Sequence, residues 1–350
     1  MRILYGVTGH GMGHAMRAIV LARHLEREGH RVKLVTSGAA VDLLGERFGD
    51  VTRIDGLALR YVRGGVARTR SLLRTLGRAP SALARNVDRY VNEVSTFAPD
   101  VCVADFESFA HLTGLARGIP VISFDHQHVL TRCQLGPVER DVAVARALVS
   151  AKMFRCAHYV VTSFYRPPVK LRHAGSTTLV GPILRDEVLA REPRDGDHVL
   201  VYQTSSGHRR LLSSLGELRG HRFIVYGSGR EGTEGHVTHR AFHPSRFLDD
   251  LASARAVVTH GGHTAISEAL YFGKPVVSVP LRGQGEQLLN ADRLDRGGWG
   301  RRLDRPTARS LRRALAWAEQ RGPMPRVEAG NAELRDRMDR LLTGWERSAA

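Results

Sequence analysis

The sequence predicts an α/β protein of two doubly wound, Rossmann-like parallel-sheet domains facing each other across a cleft. Three observations lead there. Short β-branched runs alternate with stretches of helical periodicity from end to end, the rhythm of βαβ units rather than of hairpins. Both halves hold a strand that runs into a turn of glycine and small polar residues, at 8–14 and at 203–207. The 350 residues, 42% of them hydrophobic, suffice for two complete cores.

In the first half, residues 2–7 read as a buried strand. The loop after it carries Gly9, His10, Gly11, Gly13 and His14, and a helix over 15–28 follows, burying Ile19, Val20 and Leu25 and stopped by Gly29. Residues 32–35 form the second strand. This start excludes two common nucleotide sites. The glycines do not fit G-x-G-x-x-G, the second strand ends in Val35, Thr36 and Ser37 with no acid for a nicotinamide ribose, and no Gly-Lys-Ser/Thr marks a P-loop. Residues 101–104 are a strand ending in Asp105, with a helix inside 106–117. Residues 119–124 are another, ending in Asp125, His126, Gln127 and His128. Three of those four can ligate a metal, but no distant Cys or His stands at metal spacing. They read instead as part of an acceptor pocket or as buried structural groups. A helix over 142–154 and a strand over 159–162, the last of this half, complete it.

Gly181, Pro182 and the polar run 191–197 mark the boundary. The expected domains are 1–185 and 186–325, with a terminal helix in 326–350. Residues 198–202 open the second sheet, and Ser205, Ser206 and Gly207 lead into a helix. That turn suits a phosphate through its free N–H groups, or serves as a plain cap. A strand over 223–226, a glycine-rich loop over 227–235 and a helix over 247–254 follow. Residues 308–320 and 329–345 are the last helices.

The stretch 255–291 carries the most chemistry. Residues 256–259 are a buried strand, and Gly261 and Gly262 after His260 let the chain turn sharply. A helix over 264–272 follows, with Ile266, Ala269 and Leu270 on one face, stopped by Gly273 and Pro275. Its amino end, near His263 and Thr264, offers free N–H groups and a positive dipole to a phosphate. Glu268, one turn in, can accept two vicinal ribose hydroxyls. Residues 276–279 are the next strand, and the helix over 284–296 opens with Glu286 and Gln287, a carboxylate and an amide suited to sugar hydroxyls.

Composition narrows the setting. No apolar run approaches the ~20 residues of a membrane span, and the amino end lacks a signal-peptide core. Cys102, Cys133 and Cys156 are isolated. A cytoplasmic protein is expected. The net charge is +17. The basic residues are nearly all Arg, spread along the chain without an RNA-binding signature, so no nucleic-acid partner is expected. An anionic lipid surface or an anionic acceptor fits the charge better. The densest Arg series, in 53–89, reads as the solvated faces of two amphipathic helices, or as a surface toward acceptor or membrane at the inner membrane face.

At these residues a family resemblance becomes specific. His260, Gly261, Gly262, Glu268, Gly273, Pro275, Pro280, Glu286, Gln287, Asn290 and Ala291 resemble the donor-binding signature of GT-B glycosyltransferases, especially the MurG-like N-acetylglucosaminyltransferases and the UDP-glucuronosyltransferase-like enzymes. One departure is Ala265, where the family carries Ser or Thr. Gly13 and His14, followed by Leu21, Ala22 and Leu25, resemble the acceptor-side loop whose His is the catalytic base. Arg17 stands where that loop has Pro. Asp105 resembles the acid that pairs with the base in plant-type members. The resemblance implies an inverting, metal-independent transfer from a nucleoside diphosphate-sugar, a UDP-sugar by preference, to a hydroxyl of a lipid-linked or small acceptor. It implies no cofactor. His14 and Asp105 would be catalytic. His260, Gly261, Gly262, His263, Thr264, Glu268, Glu286, Gln287, Ser205, Ser206 and Gly207 would bind the donor. His10, Gly11, Gly13, Asp125, His126 and His128 would lie on the acceptor side. A nucleotide-sugar 2-epimerase and a non-catalytic nucleotide-sugar-binding protein remain the alternatives.

Overall fold

The computed structural model describes residues 1–9, 12–56, 84–203 and 209–349, without the side chains of 209, 348 and 349. His10, Gly11, Ser205, Ser206, Gly207 and most of the Arg-rich series lie outside the described residues. The chain divides into two compact units. The first comprises Met1–Pro137, Ala143–Arg185 and Gly330–Ala350, the second Val138–Val142 and Asp186–Ala329.

The first unit holds a seven-stranded parallel sheet: β1 (Arg2–Val7), β2 (Arg31–Thr36), β3 (Val51–Arg53), β4 (Val101–Asp105), β5 (Val121–Asp125), β6 (His158–Thr162) and β7 (Thr177–Val180), in the order β3-β2-β1-β4-β5-β6-β7. β4, β5 and β6 are buried along their whole length, as strands covered on both faces must be. The helix Met12–Arg27 covers β1 with Ile19, Leu21 and Leu25, and the terminal helix Asn331–Ala349 joins the same core through Leu334, Met338 and Leu342. Asn331 fixes the entry to that helix, donating to the Leu184 carbonyl and accepting from its N–H.

The second unit holds the other sheet: β8 (His198–Tyr202), β9 (Arg222–Tyr226), β10 (Gly232–Glu234), β11 (Val237–Arg240), β12 (Ala256–Thr259), β13 (Val276–Ser278) and β14 (Gly300–Arg302), in the order β10-β11-β9-β8-β12-β13-β14. All its pairings are parallel except β10 with β11.

Two sequence expectations need correction. The strand over 159–162 is not the last of the first unit, because β7 lies beyond it. The glycine-rich loop 227–235 also contains β10. Both strands are short edge strands, and β10 is fully exposed, so neither carries the apolar run that marks a central strand. The three cysteines are free and buried.

One close approach holds β1 to the helix Ser108–Arg117. A Cβ on Gly6 would stand 2.5 Å from Glu107 Oε2 and 2.6 Å from the Ala110 Cβ. Glu107 caps this helix, accepting from the N–H groups of Phe109 and Ala110 at 2.7 and 2.8 Å. Gly6→Ala should therefore destabilise the protein by about 1–3 kcal/mol through overpacking. Denaturant unfolding measures this, and an unchanged midpoint would mean the contact is looser than described.

Candidate active site

Doubly wound sheets bind ligands where the strand order reverses, beyond the carboxyl ends of the strands. In the first unit that point lies between β1 and β4. Their register pairs Val7 with Asp105, the last residue of each strand, and the Thr8 N–H donates to the Asp105 carbonyl. The chain leaving β1 enters the helix Met12–Arg27, whose first turn stands over the end of β4. Gly9 is required on the way, since a Cβ there would lie 1.9 Å from the Ser37 carbonyl oxygen.

Two side chains meet at Asp105, which is fully buried. His14 Nδ1 donates to Oδ1 at 2.7 Å. Arg17 donates through Nε to Oδ2 at 2.6 Å and through Nη2 to Oδ1 at 2.5 Å, a two-point ion pair. Three residues apart on one helix, His14 and Arg17 share a face. Burial works against the Arg17 charge, yet Asp105 holds the guanidinium above its ordinary range. Arg17 Nη2 also comes within 2.6 Å of His14 Nδ1, because both converge on the same oxygen. A carboxylate oxygen can only accept and a guanidinium can only donate, so the two contacts ask opposite tautomers of Nδ1; pairing with Asp105 puts the imidazole proton on Nδ1 and leaves the Nε2 lone pair for chemistry. The His14 side chain keeps 13% of its surface accessible, enough for a substrate to reach it. Phe106, directly after Asp105, has φ 49°, strained backbone of the kind that gathers at functional sites.

Gln127 Nε2 stands 3.3 Å from His14 Nε2. The residues around it support that loop. Buried Asp125 accepts from the His128 N–H at 2.9 Å, from His128 Nδ1 at 2.7 Å and from Ser123 Oγ at 2.8 Å. Burial opposes its charge, but His128 keeps the carboxyl well below the usual range. His126 Nδ1 donates to the Thr162 carbonyl at 2.7 Å. Asp125, His126 and His128 are all buried.

In the second unit the order reverses between β8 and β12. A cavity of about 620 Å³ opens at their carboxyl ends, lined by Gln203 after β8 and His260 after β12, with Val279, Pro280 and Leu281 on one wall. Gly261 has φ 93°, and a Cβ there would lie 2.7 Å from Ser278 Oγ, so the turn admits only glycine. Gly262 is the N-cap of the helix His263–Tyr271. Asn290 donates to the Gly261 carbonyl at 3.0 Å, and Gln287 accepts from the Leu281 N–H at 3.0 Å, tying the turn and the loop after β13 to one helix. His263 and Glu268 are buried, while Thr264 and Glu286 are partly exposed. Of the expected donor residues that are described, His260 alone lines the cavity.

Residues 1–314 match the family described as Glycosyl transferase family 1. The chain belongs to that family. An uncharacterized glycosyltransferase of Methanosarcina acetivorans is 24% identical over 334 residues, covering 88% of this chain and 86% of the relative. A UDP-N-acetylglucosamine–N-acetylmuramyl-(pentapeptide) pyrophosphoryl-undecaprenol N-acetylglucosamine transferase of Deinococcus deserti is 27% identical over 358 aligned positions, with 86% of each chain covered. Among solved structures, the glycotransferase of kitacinnamycin aligns with a TM-score of 0.69 at 19% identity, covering 97% of this chain and 98% of that one. The fold of this glycosyltransferase is of the GT-B type.

Sequence reading treated Arg17 as a departure from a family pattern and passed over Gln127. The three-residue spacing from His14 was the signal available for Arg17. Gln127 had only its place beyond a strand end. Among the described residues no helix of the glycosyltransferase is long and apolar enough to cross a membrane.

Removing Arg17 leaves the Asp105 charge buried with a single partner. Arg17→Met should cost about 3–5 kcal/mol of stability, the range for breaking a buried ion pair from one side. Thermal and denaturant unfolding test this, and a loss below about 1 kcal/mol would show a pair no stronger than a surface one.

Proposed function

We propose that this glycosyltransferase moves a sugar, with inversion, from a nucleoside diphosphate-sugar to an acceptor hydroxyl. The hydroxyl oxygen attacks the anomeric carbon as the bond to the diphosphate oxygen breaks. Its proton passes to His14 Nε2, and the imidazolium formed is stabilised through Nδ1 by Asp105. The observation that carries this reading is the 2.7 Å contact from His14 to a buried carboxylate at the sheet's switch point.

The leaving diphosphate is received by the N–H groups at the amino end of the helix His263–Tyr271 and by His260, with Glu268 on the ribose and Glu286 on sugar hydroxyls. A UDP donor is favoured by the name of the Deinococcus relative, whose acceptor is lipid-linked. The acceptor here is a lipid-linked or small hydroxyl compound. With a lipid-linked acceptor the protein works peripherally at the inner membrane face.

His14→Ala should lower turnover by about 10²–10⁴-fold while donor affinity stays near wild type. Asp105→Asn should lower it less. Steady-state rates with calorimetry of donor binding make the test, and near-normal turnover in His14→Ala would remove the base. The donor site as read contains no metal-dependent step, so transfer should persist in EDTA. Activity lost to EDTA and restored by Mg²⁺ or Mn²⁺ would contradict that.

A further inference from the structure

His14 has a neighbour that the proposed mechanism leaves unused. Gln127 Nε2 stands 3.3 Å from His14 Nε2, the nitrogen that takes the acceptor's proton in that mechanism. The two residues are 113 positions apart; the first turn of the helix Met12–Arg27 and the loop after β5 come together at one edge of the parallel sheet. That loop is fastened on both sides of Gln127. His126 Nδ1 donates to the Thr162 carbonyl at 2.7 Å, and the His128 N–H donates to Asp125 at 2.9 Å. The Gln127 carbonyl accepts from the Leu130 N–H at 3.0 Å, and Gln127 is itself buried. The amide is therefore held at the imidazole by the surrounding structure.

An amide nitrogen can only donate, so its partner must offer a lone pair. Nε2 has one only while the ring is neutral with its proton on Nδ1, the tautomer that pairing with Asp105 asks for. Protonating His14 puts a second N–H at Nε2, aimed at the amide N–H, and the contact is lost. Gln127 thus stabilises the neutral ring, the form that can accept a proton. Among the described residues, the charged and titratable groups around the ring act elsewhere. Asp105 at the end of β4 and Arg17 on the same helix both meet Nδ1. Asp125 at the end of β5 and Tyr5 of β1 face Arg17, and Lys152, the last residue of the helix Ala143–Lys152, faces Asp105.

We propose that Gln127 is a positioning residue for the base: its amide keeps His14 neutral, with the Nε2 lone pair covered, until an acceptor hydroxyl donating to Nε2 takes the amide's place. Gln127 then sets the acid limit of sugar transfer. This rests on His14 being the base, as read above.

Nitrogen-15 NMR titration of the His14 ring in wild type, Gln127→Leu and Gln127→Glu tests this without any ligand. In Gln127→Leu the ring should titrate about 0.5–1 pH unit higher, the scale of one hydrogen bond lost from the neutral form. Gln127→Glu keeps the side chain's shape and carries the test if Gln127→Leu does not fold. Its carboxylate favours the imidazolium at Nε2, so the rise should reach about 1–3 units. A ring titration that stays put in both variants overturns the proposal. A fall in Gln127→Leu also overturns it, by putting the amide oxygen at Nε2. The pH profile of UDP release from UDP-N-acetylglucosamine, with glycerol as the acceptor hydroxyl, should move its acid limb with the ring. A limb that stays in place while the ring shifts overturns the acid limit in a distinct way, because Gln127 then holds His14 as described but His14 is not the base. If wild type releases no UDP from this pair, the ring titration decides.

Discussion

A buried carboxylate must be answered, and in the first unit the answer to Asp105 fixes everything near it. An ion taken out of water costs several kcal/mol unless paired and hydrogen-bonded. Asp105 sits at the end of a central strand with no exposed surface. Arg17 supplies the charge and two hydrogen bonds, and His14 supplies a third. Because both come from the first turns of one helix, satisfying the acid also sets the position of that helix over the sheet. The imidazole is then oriented by the same contacts that make the acid tolerable. In the proposed mechanism, catalytic geometry and folding energy are one arrangement, which is why Arg17, touching no substrate in this account, bears on both.

The second unit solves a different problem with the same topology. In the proposed function its switch point receives negative charge rather than neutralising its own. Glycine at 261 lets the backbone pass against Ser278, and the Asn290 and Gln287 amides pin the turn and the neighbouring loop. What remains open is a cavity lined by Gln203, His260 and three arginines. The proposed function puts the nucleotide-sugar donor at this switch point.

Much of this was legible in the sequence, for physical reasons. β8 and β12 fall on the predicted residues because fully buried strands are unbroken apolar runs. The meeting of His14 with Asp105 follows from parallel strands ending on one edge. The short edge strands β3, β7 and β10 were not legible, since three or four residues, of mixed burial in β3 and β7 and all exposed in β10, carry no period. Arg17 was seen but not understood: its type said surface, and only the buried acid beside it explains an arginine inside. Asp125 and His128 looked like ligands by type, yet they answer each other.

The central claim is that Asp105 holds the His14 proton on Nδ1 and so leaves Nε2 able to accept one. Nitrogen-15 NMR of the histidine rings, with His14 assigned by its loss in His14→Gln, reads this directly. The account predicts a protonated Nδ1 and an unprotonated Nε2 in the resting protein above neutral pH, with the balance disturbed in Asp105→Asn. A resting His14 protonated on Nε2, with Nδ1 accepting from Arg17, would contradict it.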